Sequence, residues 1–206
     1  MEDFMITIPI PNDVTDFKLP DPDLLRYYRD YGDRVCYIDT DIDDDTFEIT
    51  QRIFEWNRQD KGKKVEERKP IVMIINSYGG ALDQAFALIS AMRASKTPIK
   101  TVNASVAMSA GLLILLAGHE RYAMKYSTAM IHPGSAVHSG NYDQMEESQK
   151  NYRKTVNTMK DFIIERTKID PKELTRKWGK DWYNDASEQE NLGIVDKIVD
   201  NLDEVF

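Results

Sequence analysis

The chain has 206 residues, 41% of them hydrophobic, and a net charge of -8. This length fits one domain with a real core, and the hydrophobic fraction is too high for a disordered chain. Nucleic-acid binding needs a basic stripe, which this acidic chain lacks. Its one basic cluster, at 61–69, is interrupted by Val65, Glu66 and Glu67 and predicts a solvated loop. We therefore expect no nucleic-acid partner.

Several features of the sequence indicate the cellular compartment of the protein. The longest apolar stretch, 104–118, is shorter than the roughly 20 residues that a membrane helix needs. The first four residues include two acids and no base, unlike a signal peptide. The single cysteine, Cys36, cannot form an internal disulfide and lies in a strand-like stretch, where a buried thiol is expected. These features predict a cytoplasmic protein without a membrane partner.

The N-terminal part of the chain differs in composition from the rest. Residues 1–23 hold four prolines and several aspartates, which predict an arm with at most a short strand at 5–8. The rest of the sequence shows no internal repeat and no second domain boundary. We therefore expect a single domain over 24–206.

Strands alternate with helices along this domain. The apolar run at 71–75 is typical of a strand buried on both faces of a parallel sheet. Strands are expected at 34–39, 70–76, 98–103, 122–124, 129–132 and 194–199. Helices are expected at 24–31, 43–59, 81–95, 109–117 and 141–168, from 170 onward, and over 187–193. This order predicts an α/β fold with a mostly parallel sheet and flanking helices.

Some helix faces and caps are also predicted. Phe47, Ile53 and Phe54 are expected to face inward. Ser187 begins a capping-box pattern that ends at Glu190. The long helix at 141–168 carries an apolar stripe at steps of three, four and seven, made of Tyr142, Met145, Tyr152, Val156, Met159 and Ile163.

The sequence holds three histidines. His132 alone follows a strand-like segment and precedes a Pro-Gly turn, and strand ends often carry functional side chains in α/β folds. His119 lies in a polar turn and His138 in a loop rich in Ser and Gly. Taken singly, each histidine is more often structural than catalytic. No pair has metal-ligand spacing, so no metal site is predicted.

Small residues surround Ser109 where a loop enters a helix. A helix N-terminus favours the negative charge of a developing alkoxide or oxyanion. Serine needs a base within hydrogen-bond reach to act as a nucleophile, and His132 is the candidate. On local sequence alone, serines placed like Ser105 and Ser109 more often cap or pack a buried helix than act in catalysis. Likewise, Gly79 and Gly80 fit either a plain turn or a loop that offers backbone N–H groups to a substrate.

The combination of these segments is more specific than any one of them. Asn-Ser-Tyr-Gly-Gly at 76–80, Ala-Met-Ser-Ala-Gly at 107–111, Met-Ile-His-Pro at 130–133, and Asp181 ahead of Gly-Ile-Val-Asp at 193–196 occur in that order. With these spacings the chain resembles the Clp protease proteolytic subunit (ClpP) family over roughly 24–199. The resemblance implies a ClpP/crotonase-like fold with a protruding handle helix, and a serine endopeptidase.

The resemblance assigns roles by position. It implies Ser109 as nucleophile, His132 as base and Asp181 as the acid that orients it, with Asp185 as the fallback acid. It implies the N–H groups of Gly79 and Ala110 as the oxyanion hole. The residues expected to lie beside the bound substrate strand are Gly80, Pro133, Gly134 and Ser135.

The resemblance also implies an assembly. ClpP subunits stack as two heptameric rings, a tetradecamer that encloses a chamber for unfolded polypeptides, and the helix at 141–168 matches the handle between rings. The arm at 1–23 matches the axial loop. The chain has no GxxxxGK[ST] motif, so ATP would be used only by a separate AAA+ Clp unfoldase, and no cofactor is expected.

The chain departs from the usual family residues at three site positions. The family usually has Pro at position 78, Met at 110 and Gln at 133, where this chain has Tyr78, Ala110 and Pro133, and its charged loop at 60–70 looks longer. None of these changes removes a catalytic atom. Two other functions remain open: a crotonase-type acyl-CoA enzyme, which needs no Ser-His pair, and a non-catalytic ring subunit.

Overall fold

The computed structural model describes residues 21–206. The expected strand at 5–8 and nearly all of the arm at 1–23 lie outside the described residues. Helix α1 (Pro22–Asp33) begins two residues before the expected position. Asp21 caps it by accepting a hydrogen bond from the Asp23 N–H at 2.9 Å, and the proline lies in the first turn.

The remaining elements alternate along the chain as expected. The strands are β1 (Val35–Ile38), β2 (Ile71–Ser77), β3 (Ile99–Met108), β4 (Glu120–Met124), β5 (Thr128–Ile131), β6 (Trp182–Asp185) and β7 (Lys197–Val199). The other helices are α2 (Phe47–Gln59), α3 (Leu82–Ala94), α4 (Ala110–Ala117), α5 (Tyr142–Arg166), α6 (Pro171–Lys177) and α7 (Ala186–Asn191). Short 3₁₀ turns precede α2, lie in the 60–70 loop and follow β7.

All seven of these strands belong to one sheet. Its main path runs β1-β2-β3-β4-β7, and every pair along that path is parallel. Strand β5 leaves this path by pairing in parallel with the end of β3, and β6 pairs antiparallel with β5. The mostly parallel α/β fold predicted from the sequence is confirmed.

Helix α4 lies at the centre of the core. All eight of its residues are buried, and it packs against β3, α3 and α5. A helix that is apolar on every side gains most when it is covered on every side, at about 25 cal/mol per Å² of apolar surface removed from water. Burial of α4 fixes its N-terminus, and therefore Ser109, relative to the sheet.

The inward face of α2 differs from the prediction. Phe47 and Phe54 are exposed, and Thr50, Ile53 and Trp56 form the buried face instead. These three residues recur every third position and so share one side of the helix. The prediction was right for Ile53 and wrong for the two phenylalanines.

Other predicted bounds also need correction. Strand β3 does not end at Asn103 but continues to Met108, which carries it to the candidate nucleophile. Strand β6 was not predicted. Helix α7 is capped by Asp185, which accepts from the Glu188 N–H at 2.9 Å, and not by Ser187. The last strand covers only 197–199 of the expected 194–199.

Helix α5 is the expected handle. Its residues 142–151 are exposed, including the apolar Tyr142 and Met145, whereas Met159 and Ile163 are buried against the core. Only the second half of the predicted stripe is therefore core within one subunit. No helix among residues 21–206 is long and apolar enough to cross a membrane.

A buried pair of amide side chains ties together the elements around the site. The Asn103 amide donates to Gln189 Oε1 at 2.9 Å and to the Thr128 carbonyl at 3.1 Å. The Gln189 amide donates to the carbonyls of Ser127 and Asn184, both at 3.2 Å. These bonds join β3, β5, β6 and α7 in a water-excluded layer, where hydrogen bonds are costly to break.

The charged loop at 60–70 is anchored by a buried carboxylate. Asp60 is fully buried and accepts from Arg34 at 2.5 and 3.0 Å, from Lys63 at 2.9 Å and from Thr97 at 3.0 Å. Hydrogen bonding to the Arg34 guanidinium, the largest of these favourable effects, holds the pKa of the Asp60 carboxyl well below its usual range. The loop is thus fastened to α1 and to the start of β3.

We expect Asp60→Asn to lower the free energy of unfolding by about 3–5 kcal/mol, because it leaves the buried Arg34 without its charge partner. The exposed pair Asp33–Lys69, at 3.0 Å, provides the control, and Asp33→Asn should cost about 1 kcal/mol or less. Urea unfolding measures both.

The loss of unfolding free energy caused by Asp60→Asn should depend on pH. Because the pKa of Asp60 is lowered in the folded state, its contribution is complete above the unfolded pKa, about 3.9, and is lost as the pH falls further. The difference between wild type and Asp60→Asn should therefore shrink below about pH 4. Equal stabilities of the two Asp→Asn variants at neutral pH would contradict this account.

Candidate active site

Ser109 occupies the junction between β3 and α4. Its backbone has φ 53° and ψ -121°, a conformation that is strained for a residue other than glycine and costs about 1–3 kcal/mol. The Ser109 N–H donates to the Met130 carbonyl at 3.0 Å, which ties the junction to β5. The sharp turn presents the hydroxyl at the end of the sheet, beside the positive end of α4.

The register of β5 and β6 brings His132 and Asp181 opposite each other. The antiparallel ladder pairs Met130 with Tyr183 and Ile131 with Trp182. One further step along the same register pairs His132 with Asp181. Since β3 and β5 run in parallel with Met108 beside Met130, the next residues of both strands, including Ser109, lie at the same edge.

The Ser and His side chains are within hydrogen-bond distance. His132 Nε2 lies 2.6 Å from Ser109 Oγ. On the other side of the ring, Nδ1 lies 4.0 Å from Asp181 Oδ1, which is longer than a hydrogen bond. The Asp181 side chain is 57% exposed, whereas that of His132 is 21% exposed. The three predicted residues therefore lie together, with the base–acid contact open by about 1 Å.

Asp185, the fallback acid, has a different position. It pairs with Thr128 at the far end of the β5–β6 ladder and caps α7. Its carboxylate thus accepts from the Glu188 N–H of that helix rather than from His132. The fallback was wrong.

The Gly79–Gly80 loop packs directly on the nucleophile. A Cβ added at Gly79, where φ is +109°, would lie 2.7 Å from Ser109 Cβ and 2.9 Å from the Met108 carbonyl oxygen. At Gly80, where φ is +149°, it would lie 2.2 Å from the Ile42 carbonyl oxygen. Both positions therefore require glycine, for backbone geometry and for space.

The two glycines differ in their N–H groups. The Gly79 N–H donates to Ser77 Oγ at 3.1 Å, so this donor is already engaged. The Gly80 N–H has no hydrogen-bond partner among the described residues, and the Ala110 N–H is one of the unpaired groups in the first turn of α4. The predicted donor Gly79 would have to leave Ser77 to bind an oxyanion, whereas its neighbour Gly80 would not. Sequence reasoning missed the role of Ser77.

Three of the four expected substrate-strand residues follow His132 directly. Pro133 and Gly134 are half-buried, Ser135 is exposed, and residues 132–139 form no regular structure. Gly134 has φ +79°, and a Cβ there would lie 2.7 Å from the Tyr152 hydroxyl of α5. His138 Nδ1 lies 2.7 Å from Ser148 Oγ, so both ends of this segment rest on the handle helix.

The other histidines have structural contacts. His119 Nδ1 accepts from the Ile99 N–H at 2.9 Å, and burial lowers the pKa of His119, which favours the neutral ring. No group of three or more possible metal ligands lies together among residues 21–206. The groups that meet at this edge of the sheet are a hydroxyl, an imidazole, a carboxylate and backbone donors.

Strand β6 is the part of the site that sequence reasoning did not find. It has only four residues, and its two aromatic side chains at 182–183 were the available signal. Its pairing with β5, which places Asp181, is a long-range contact that no local pattern encodes.

Comparison with known proteins identifies the family of this chain. The Clp protease family matches residues 31–202. The chain belongs to the Clp protease family. The ATP-dependent Clp protease proteolytic subunit of Deinococcus radiodurans is 28% identical over 181 residues, covering 86% of each chain.

Two further relatives of this family give similar values. The ATP-dependent Clp protease proteolytic subunit 2 of Bacillus licheniformis is 28% identical over 81% of this chain and 86% of its own length. Subunit 1 of Bacillus cereus is 28% identical over 93% of this chain and 97% of its own length. The similarity therefore extends over most of each protein.

The three positions at which the sequence departs from the expected family residues have different surroundings. Tyr78 is 70% exposed and adds an aromatic surface beside the glycine loop. Ala110 is buried in α4 and contributes only its backbone, so a small side chain is sufficient there. Pro133 removes one backbone N–H from the segment that follows the base.

We expect Gly79→Ala to slow labelling of Ser109 by a fluorophosphonate by about 100-fold or more, because the methyl group displaces the loop from the reacting serine. Gly62→Ala is the matched control: φ is +92° there, yet nothing lies within 4 Å of the added methyl group. Circular dichroism checks folding. Equal labelling rates of two folded variants would contradict the assignment of this loop to the site.

Proposed function

We propose that this protein is a serine endopeptidase subunit that hydrolyses peptides and unfolded polypeptides by a Ser-His-Asp acyl-enzyme mechanism. The observation that carries the proposal is the 2.6 Å contact between Ser109 Oγ and His132 Nε2, at a strained junction facing a helix N-terminus. A buried structural serine has no need of either the strain or the imidazole. Membership of the Clp protease family supports the same chemistry.

The proposed reaction begins with proton transfer from Ser109 Oγ to His132 Nε2 as the oxygen attacks the substrate carbonyl carbon. The resulting oxyanion accepts hydrogen bonds from the Ala110 N–H and from the Gly79–Gly80 loop. His132 then donates its proton to the leaving amine, and the acyl group remains on Ser109. Water, activated by His132, releases the acid product.

Asp181 is the proposed orienting acid. The carboxylate must approach His132 Nδ1 by about 1 Å to accept its proton in a hydrogen bond. In that position it would fix the tautomer and stabilise the imidazolium that forms during attack. The exposed Asp181 side chain has room for this small movement.

The proposed setting is a chamber built from stacked heptameric rings. The exposed apolar residues Tyr142 and Met145 at the start of α5 support a contact between copies, because apolar surface left in contact with water is unfavourable. The relatives are named as proteolytic subunits of an ATP-dependent protease. We infer a separate AAA+ unfoldase as partner, since this chain carries no phosphate-binding motif.

Two other functions remain less well supported. A crotonase-type acyl-CoA enzyme would use backbone oxyanion donors but would not need the contact between Ser109 and His132. A non-catalytic ring subunit would not need the backbone strain at Ser109. The next experiment separates all three.

We expect Ser109→Ala to abolish both fluorophosphonate labelling and hydrolysis of a fluorogenic peptide, and His132→Ala to lower hydrolysis by about 1,000-fold or more, because members of a triad act as a unit. Ser105→Ala, an exposed serine four residues away, should keep full activity. Labelling that persists in Ser109→Ala would contradict the assignment of Ser109 as the nucleophile. Acyl-CoA turnover that survives Ser109→Ala would favour the crotonase type. A wild type that is neither labelled nor active on the peptide would favour the non-catalytic ring subunit.

For the assembly, we expect light scattering of the wild type to give a mass many times the 23.8 kDa of one chain. Tyr142→Ser together with Met145→Ser should lower this mass, because the pair loses apolar surface that the contact would bury. Phe54→Ser, an exposed aromatic on α2, is the comparison for a general loss of surface apolarity. A wild-type monomer at all concentrations would contradict the chamber.

A further inference from the structure

A layer of buried amide side chains lies behind the candidate active site. Asn103, Asn184 and Gln189 are all fully buried, and the Oδ1 atoms of both asparagines have no hydrogen-bond partner among the described residues. Buried amides of this kind are costly, because each polar atom without a partner has lost its hydration. Apolar side chains of the same shape would carry no such cost, so stability alone does not account for three amides in this layer.

Gln189 is the centre of this layer. Its Oε1 accepts from the Asn103 amide at 2.9 Å, and its own amide donates to the carbonyls of Ser127 and Asn184, both at 3.2 Å. The backbone carbonyl of Gln189 accepts from the Ile194 N–H at 2.8 Å, which fixes the end of α7 from which the side chain extends. One side chain thus holds β3, the residue before β5, and β6 at the same time.

The layer reaches the candidate acid from the buried face of β6. Side chains alternate between the two faces of a strand, so Asn184 points into the core while Tyr183 and Asp181 project from the other face. The Asn184 amide donates to the Trp182 carbonyl at 3.0 Å. Since Trp182 directly follows Asp181, this bond brings the layer to the backbone beside the acid.

The position of the Asp181 carboxylate depends on that backbone. The side chain is 57% exposed, and its Oδ1 lies 4.0 Å from His132 Nδ1, beyond the length of a hydrogen bond. A misplacement of about 1 Å in a reacting group can cost on the order of 100-fold in rate. A small shift of β6 away from β5 would therefore remove the acid from reach of the base.

We propose that Gln189 is a positioning residue for Asp181. Through Asn184 and the backbone of β6, it holds the carboxylate where a small movement brings it to His132. This role rests on the proposed peptidase mechanism and adds to it a buried residue that touches neither the substrate nor the triad. A purely structural residue would affect the rate whether or not the acid is present, whereas the effect of Gln189 passes through Asp181.

The test is a double-mutant cycle on the rate at which a fluorophosphonate labels Ser109, expressed per folded molecule. Gln189→Met removes the side-chain hydrogen bonds at nearly constant volume and should slow labelling by about 10-fold to 100-fold. The same change made in Asp181→Asn should slow labelling by less than about twofold, because the acid that Gln189 positions is already absent. On a fluorogenic peptide, Gln189→Met should lower kcat and change KM by less than about twofold.

A milder variant carries the test if Gln189→Met does not fold. Asn184→Ala removes the bond to the Trp182 carbonyl but keeps the bond from Gln189, which uses the Asn184 backbone. It should slow labelling by about threefold or more, and again only while Asp181 is present. Circular dichroism and urea unfolding give the folded fraction of each variant.

Asn57→Leu is the matched control. The Asn57 amide donates to Ser95 Oγ at 2.8 Å and to the Ile53 carbonyl at 2.9 Å, and its Oδ1 accepts from the Lys96 N–H at 3.1 Å. These bonds lie near the start of β3, whereas Ser109 follows its end. Asn57→Leu should therefore lower the free energy of unfolding and leave the labelling rate within about twofold.

The outcomes separate the positioning role from the proposed function. Labelling of folded Gln189→Met at the wild-type rate would overturn the positioning role. So would a loss of rate that is equally large with and without Asp181, since Gln189 would then serve the fold as a whole. Either result leaves the peptidase standing, because the wild type is labelled in both cases. A wild type that is not labelled at Ser109 would overturn the peptidase and the positioning role together.

Discussion

The register of three neighbouring strands is the constraint on which the site depends. Strand β5 pairs in parallel with the end of β3 and antiparallel with β6, so three residues far apart in sequence reach one edge. A slip of one residue between β5 and β6 would turn Asp181 to the opposite face of the sheet and away from His132. The pairing of β5 with β6 thus holds the acid near the base.

The surrounding layers keep that register. Hydrogen bonds from Asn103 and Gln189 join β3, β5, β6 and α7, and burial of α4 fixes the start of the helix behind the nucleophile. The strain at Ser109 persists because both sides of the junction are held in this way. Packing energy elsewhere thus offsets the cost of a turn that exposes the hydroxyl.

The site is divided between a rigid part and a more open one. Ser109, the glycine loop and α4 are packed closely, whereas Asp181 is exposed. Close packing in the rigid part leaves little room for other side chains. The open part has more freedom to vary, and Pro133 and the exposed Tyr78 both lie around it.

The sequence by itself determined the α/β class, the strand–helix order, the buried α4 and, through the family resemblance, Ser109, His132 and Asp181 as candidates. Apolar periodicity and capping patterns are local, so they can be read from neighbouring residues. Only the tertiary structure decided that Phe47 and Phe54 are exposed, that β6 exists, and that the Gly79 N–H is already bonded to Ser77. These features follow from contacts between segments distant in the chain, whose energies no single stretch of sequence contains.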